Sequence, residues 1–518
     1  MKTLQTALVL SALVLAATAP VSAGAKKDAG NASQKTLVIG ELWNIESVDP
    51  AKNGTLLVEK TLIAEPLVEI GAHFDIRPGL AVSWKNIDSL TWEFNLKQNV
   101  RFHDGTNLDA SAVQWSLLRA IDANPNNASL TKISGVTVAD TYTIRITTKT
   151  VNADLPETLH YSGMGIIAKS SVDASGTFIK PVGTGPFMFS SYNAGSGNVE
   201  VIKNPNYHNK PANLDKIIFR PITDANTRAL AIQNGEVDFT IDPPLNEIAY
   251  LKTVKDLRIN AYETPRVYIA KMNVNHEPFN NLKVRQALTH AIDNAAIAEH
   301  VLYGVGSPAI GPYSSNMAWV NKDLKPYGYD PALAKRLLAE AGYADTNGDG
   351  LLDKDGKNLE LKLITYPERP GLPPIAQAMQ GFCADIGVTL KVDIMTSSAT
   401  GAVLATPDWD LYLMANATTM IPTPAYHLND AYSTEKNAAT SGYSNPEVDR
   451  LLIELAGTFE QNRKYELART IQQIIYDDVA ALWIAHYGVG IVMKTSVEGF
   501  AFNPTAHDYM LNTEITKK

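Results

Sequence analysis

The stretch "LPPIAQAMQGFCADIGVTLKVDI" changes its hydrophobic period halfway along. Ile375, Ala378, Met379, Phe382, Cys383 and Ile386 recur at helical spacing, Gly387 ends the helix, and Val388, Leu390, Val392 and Ile394 then alternate as in a strand. A helix that runs directly into a strand is half of an α/β unit, and it can bury its apolar stripe only against a sheet. This restricts the chain to mixed α/β layers. "YDPALAKRLLAEAG" agrees, with Asp330 as N-cap, Pro331 in the first helical position, Leu333, Leu337, Leu338 and Ala341 on one face and Gly342 as the stop. "DASAVQWSLLRAI", capped by Asp109, "KVRQALTHAIDNAAIAEHVLYG" and "NPEVDRLLIELAG" read as further capped helices.

"TLVIG" (Thr36–Gly40) reads as a buried strand, and "TWEFNLK" and "YTIRIT" alternate as half-buried ones. A chain of 518 residues is too long for one core, so two or more lobes are expected. No internal repeat or low-complexity linker separates them, which predicts lobes joined by crossing strands, with ligands in the cleft between.

Lys2 followed by the apolar "LVLSALVLAA" and the small residues of "VSA" reads as a secretory signal at residues 1–23, cleaved after Ala23. Residues 24–35 read as a flexible leader. Gly24 rather than a cysteine follows the cleavage point, so the expected product is soluble, periplasmic and not lipid-anchored. The single cysteine, Cys383, excludes an internal disulfide, a CxxC redox centre and a thiolate zinc cage. The net charge of −9, without a Lys/Arg block, argues against a nucleic-acid partner.

Catalytic signatures are missing. The chain has no G-x-S-x-G elbow, no H-E-x-x-H zinc helix, no phosphate loop and no dinucleotide fingerprint. "GTGPF" and "GVGSPAIG" lack phosphate-loop spacing and read as turns. "DTNGDGLLDKDG" places Asp345, Asn347, Asp349 and Asp353 at calcium-loop spacing, so a structural calcium is one reading. Gly356 occupies the twelfth place, where a bidentate Glu would complete the shell, so the other reading is a decorated turn before the strand "LELKLITY".

Nine stretches, in order, carry a family resemblance: "SVDPAKN", "AEPLVEI", "LAVSWKNIDSLTWEFNLKQNVRFHDG", "VGTGPFMF", "NPNYHNKPANLDKIIFR", "TRALAIQNGEVDF", "VRQALTHAID", "YDPALAKRLLAEAGY" and "YSNPEVDRLL". The chain resembles the bacterial extracellular solute-binding proteins of ABC importers, the peptide- and nickel-type family, from about Thr36 to its end. The resemblance implies an α/β fold of the periplasmic-binding-protein-like type II class. It implies lobe I at 36–270 and 486–518, with an extra subdomain at about 55–180, and lobe II at 271–485. The crossings of the two-strand hinge fall in "PRVYIAKMN" and "ALWIAHYG". It further implies a non-enzymatic monomer that needs no cofactor and delivers its solute to an ABC permease and its ATPase.

Two solute classes follow from the resemblance. Peptide-binding relatives pair the ligand's ammonium with an aspartate beside a proline in a turn of the second lobe. Here Thr423 stands before Pro424, although Asp430 or Asp410 could substitute. Nickel-importing relatives complete a metal chelate with histidines, and His427 in that turn and His486 in the second crossing are the candidates for a bound nickel chelate. Either could instead be a hydrogen-bonded structural histidine. Trp43 and Asn44 after the first strand, Arg266 as a carboxylate clamp, and His160 with Tyr161 complete the expected ligand contacts. Outside this class stands a secreted hydrolase using an unrecognised carboxylate pair.

Overall fold

The computed structural model describes Lys35–Lys518. The expected secretory signal and the leader before Lys35 lie outside the described residues. Eleven strands form the main sheet. They are β1 (Thr36–Glu41), β2 (Phe187–Asn193), β3 (Asn198–Lys203), β4 (Lys216–Pro221), β5 (Phe239–Ile241), β6 (Leu257–Met272), β7 (Gly306–Pro308), β8 (Glu360–Thr365), β9 (Thr389–Ile394), β10 (Leu411–Ala417) and β11 (Ala481–Lys494). Their order is β9-β8-β10-β6-β11-β5-β1-β4-β3-β2, with β7 also laid on β11.

The two predicted crossings are neighbours at the centre of this sheet. β6 and β11 are antiparallel and far longer than the other strands, and β11 is buried along almost its whole length. Their register breaks between Glu263 and Val267, opposite Gly488 and His486. Such a bulge bends the strand and re-aims its side chains, and Arg266 sits on it. The β1 flank is the half in which β1 pairs in parallel with β4 and β5; in the other flank β8 pairs in parallel with β9 and β10.

The main helices are α1 (Ala110–Ala123), α2 (Ala225–Gln233), α3 (Leu282–Ala291), α4 (Pro331–Glu340), α5 (Leu372–Asp385), α6 (Pro424–Tyr432), α7 (Pro446–Ala456) and α8 (Gln461–Asp477). Side-chain caps fix where several of them start. Asp109 accepts from the amide of Ala112, Asp330 from that of Leu333 and Asn445 from those of Glu447 and Val448. α4 ends before Gly342, whose φ of +94° suits a residue without Cβ.

One apolar core runs from Leu37 and Ile39 of β1 to Leu363 of β8 and Met379 and Cys383 of α5. A separate four-stranded sheet, made by Ala81–Asn86, Thr91–Leu96, Ile133–Asp140 and Thr143–Thr148, packs its own core against α1, with Phe94, Leu117 and Ile144 fully buried.

Two local readings change. "KVRQALTHAIDNAAIAEHVLYG" is not one helix, because Ile292 is extended (φ −99°, ψ 122°) and Asp293 caps a new turn through the amide of Ala296. The competition between a capping aspartate and helix continuation is won by the cap. "GVGSPAIG" is not only a turn, since Gly306–Pro308 adds to the edge of β11.

Candidate functional site

β1 ends at Glu41, and the chain then turns so that Trp43 and Asn44 line two adjoining hollows. The larger is about 1170 Å³. One wall comes from the β1 flank, with Trp43, Asn44 and the start of α2 at Asp224 and Arg228; the other comes from Glu368, the N-terminal end of α5 and Ser397. It therefore lies between elements from both flanks of the sheet. The smaller hollow, about 240 Å³, is lined by Lys60, Arg266 and Asp508 as well as Glu41.

The floor of this region is ionic and buried. Arg369, 3% exposed, reaches from the β8–α5 connection to Asp508 at 2.8 Å and to Asp242 at 3.2 Å. Its guanidinium also lies over the rings of Trp43 at 5.3 Å and Tyr487 at 5.2 Å. The Tyr487 hydroxyl donates to Asp242. Lys60 bonds Glu41 at 2.7 Å, and the Tyr509 hydroxyl donates to the same carboxylate. Arg266 donates from Nε to the His507 carbonyl at 2.9 Å and stands 3.6 Å from Asp508. Burial alone would raise the Asp508 carboxyl, but Arg369, Arg266 and Lys60 outweigh it and hold it well below the usual carboxylate range. Asp242 is pushed up, because its burial outweighs the pull of Arg369.

A second buried bridge ties distant segments. Lys464 of α8 pairs with Asp154 and donates to the Ala153 carbonyl at 3.3 Å. Beside them burial, and then the charge of Asp154, push Glu157 up to about 7.

The expected ligand contacts divide. Trp43, Asn44 and Arg266 line the hollows, yet the Arg266 guanidinium is already engaged by protein acceptors. His160 and Tyr161 are half-buried, and His160 Nδ1 is 3.2 Å from the Val68 carbonyl. Thr423 caps α6, its hydroxyl accepting from the amide of Tyr426 at 3.3 Å. It also borders two smaller cavities that Asp154 lines as well.

His427 does not line either hollow. It is 2% exposed and packed edge-on to Tyr313 and Tyr432, and burial with the nearby charge of Lys271 pushes it down to about 3. His486 also lies away from the hollow walls, in the β11 ladder opposite Ser307 and Val267. Burial lowers it too, against the pull of Glu263. The structure thus gives the proposed nickel ligands, His427 and His486, packed rather than cavity-facing positions. Among the described residues no group of three or more His, Cys, Asp or Glu side chains is arranged to hold a metal ion.

The Asp345–Gly356 loop uses its oxygens internally. Asp345 accepts from the amides of Gly348 and Gly350, Asn347 from that of Asp349, Asp349 from that of Leu351, and Asp353 from Thr346. The Leu352 amide then donates to Gly387, so the loop fastens the α5–β9 junction.

Arg369, Asp242, Asp508, Glu59 and His507 escaped the sequence reading. They come from separate segments that only the fold brings together; the usable signal was the charged pair Glu59–Lys60 set in the apolar run "LLVEKTLIA".

A ligand-sized cleft bounded by both flanks of a sheet joined through two long central strands defines a two-lobed binding protein of the type II periplasmic class. The model of the bacterial extracellular solute-binding proteins, family 5 middle, matches residues 75–438, and the chain belongs to that family. The oligopeptide-binding protein AppA of Bacillus subtilis strain 168 is 27% identical over 511 residues, covering 93% of this chain and 92% of its own. The glutathione-binding protein GsiB of Salmonella paratyphi A is 30% identical over 400 residues, covering 76% of each chain. Among solved structures, NikA from Brucella suis in complex with Fe(III)-EDTA superposes with a TM-score of 0.84 at 23% identity, covering 93% of this chain and 100% of that one.

Proposed function

We propose that this chain is the periplasmic capture component of an ABC importer, binding its solute as a monomer between lobe I (36–270 and 486–518) and lobe II (271–485) and presenting it to a membrane permease and its ATPase. The observation that carries this reading is the cleft of about 1170 Å³ bounded by elements of both flanks. Ligand pockets for compact molecules run to about 300–1,000 Å³, so this one has room for a short peptide. The peptide class is favoured over a nickel chelate, because His427 and His486 stand away from the cleft walls. Trp43 and Asn44 supply the wall on the lobe I side, and closure of the lobes around the solute gives the permease a form to recognise.

Native mass spectrometry of the protein purified from its own host, followed by calorimetry with a short-peptide pool and with Ni²⁺ plus free histidine, tests this. The expected result is a retained solute and saturable peptide binding without turnover. Hydrolysis of the bound peptide would overturn it in favour of an enzyme, and tight binding of the nickel chelate alone would move the solute class to metal.

A further inference from the structure

We propose that the extra subdomain of lobe I is a clasp on lobe II: Phe74 plugs a socket beside Trp319, Lys464 pairs with Asp154 next to it, and both contacts part when the cleft opens. This rests on the importer reading and the lobe assignment above.

Val68–Ile70 and Ile76–Pro78 form a two-stranded hairpin of the subdomain, and Phe74 stands in the loop between them. The Gly71 amide donates to the Asp75 carbonyl at 2.7 Å and the Phe74 amide to the Gly71 carbonyl at 2.9 Å, which ties the loop. Phe74 has a φ of +63°, left-handed backbone that a bulky residue keeps only where its surroundings hold it there. His73 and Asp75 beside it are exposed, whereas Phe74 is 5% exposed. Its ring meets Trp319 edge-on at 5.7 Å. It belongs to the apolar core built by α6, α7 and α8, whose other buried members all lie between Val267 and Trp483. The subdomain thus inserts one side chain into the core of the facing lobe.

The same seam carries polar fastenings. Lys464 of α8 and Asp154 are both buried, and the Ala153 amide donates to the Ala456 carbonyl at the end of α7 at 3.2 Å. Trp92, which donates to the Asn152 carbonyl, brings its ring to 6.0 Å from that of Phe459. None of these residues belongs to β6 or β11, so the seam is separate from the two long strands that join the lobes.

The seam is packed unlike a permanent core. A cavity of about 290 Å³ remains between Phe74, Asp154, Glu157, Trp319, Thr423 and Lys464. On its wall Trp319 and Glu157 each keep a buried atom without a partner, Nε1 and Oε2 respectively. Interiors that stay assembled are close-packed and satisfy such groups. A seam with a void and two unmet polar atoms is one that is made and broken, with water reaching those atoms when the lobes part.

A solute that binds the closed form has an apparent affinity set by the fraction of protein that is closed, so the clasp tunes binding from outside the cleft. Pulsed electron resonance between nitroxides on Val138→Cys in the subdomain and Ile453→Cys in α7, both exposed positions, reads the opening; Cys383 is buried. Adding the short-peptide pool is expected to shorten this distance. Phe74→Gly keeps the loop, since glycine accepts its φ, and removes the plug. It is expected to lengthen the distance in solute-free protein and to weaken pool binding in calorimetry by about tenfold. Lys464→Met acts in the same direction and serves as the second variant should Phe74→Gly fold poorly. If the pool binds while the distance stays fixed, the subdomain travels with lobe II, and the clasp is overturned with the importer reading intact. Variants that match wild type in distance, and in affinity within about twofold, overturn it too. A protein that binds no pool, yet lengthens this distance on Phe74→Gly, keeps the clasp and loses the peptide reading.

Discussion

Replacing Arg369 by methionine keeps most of the apolar bulk over Trp43 and Tyr487 but removes the charge between Asp242 and Asp508. The buried floor then changes from Lys60, Arg266 and Arg369 facing Glu41, Asp242 and Asp508 to two cations facing three carboxylates. Breaking a buried pair by deleting one partner costs about 3–5 kcal/mol. The lower end applies, because Asp242 is already pushed up by its burial and takes a proton once Arg369 is gone. With an unfolding entropy of about 2.1 cal/mol/K per residue, a loss of about 3 kcal/mol in a chain of this length lowers Tm by only about 3 °C, so the free energy rather than Tm is the quantity to measure. Relief by proton uptake also makes the loss larger above neutrality than at mildly acidic pH. Urea unfolding of wild type, Arg369→Met, Asp508→Asn and the double variant, at two pH values, measures this. In the double variant part of the loss is recovered, since no carboxylate at 508 remains to be left alone. An Arg369→Met midpoint within about 1 kcal/mol of wild type at both pH values would refute the claim that the floor is a charge-balanced unit.

Two further outcomes are expected. Glu157 is pushed up from an unfolded value of about 4.3 to about 7, so its contribution to stability is full at acid pH and is lost as pH rises through that window; Glu157→Gln flattens this part of the Tm-versus-pH curve, and an unchanged slope would count against a buried, protonated Glu157. His427 is pushed down to about 3, so it contributes stability at neutral pH that is lost as pH falls below about 6.5; His427→Phe keeps solute affinity within about twofold and softens the acid limb, whereas a tenfold loss of affinity would return His427 to the ligand contacts.

What could be read in the sequence was what local chemistry determines. Asp109, Asp330 and Asn445 cap their helices as their spacing predicts, and the period change at Gly387 marks the α5-to-β9 relay. The two crossing segments were legible through the family resemblance, and their direct pairing as β6 and β11 is what the fold adds. The cleft was only partly visible. Trp43 and Asn44 follow a recognisable strand end, so their place on a cavity wall could be inferred from position. Arg369 lies between Pro367 and Pro370 in "YPERPGLPP" and looks like a loop residue until Asp242 and Asp508 are brought to it. His427 misled for the opposite reason, since nothing in the helix "PAYHLNDAY" distinguishes an imidazole turned to a cleft from one wedged between tyrosines.

The length of β6 and β11 has a consequence for how the polypeptide is made. Phe239 of β5 finds its partner at Met493, and the first half of β6 pairs with the residues after Tyr487. The flank that contains the first strand therefore keeps an open edge until nearly the whole chain has been synthesised. Contacts so distant in sequence slow folding and make it a late, collective event. A protein built this way stays unfinished while it emerges from the ribosome, and its cleft cannot exist before its last central strand has been made.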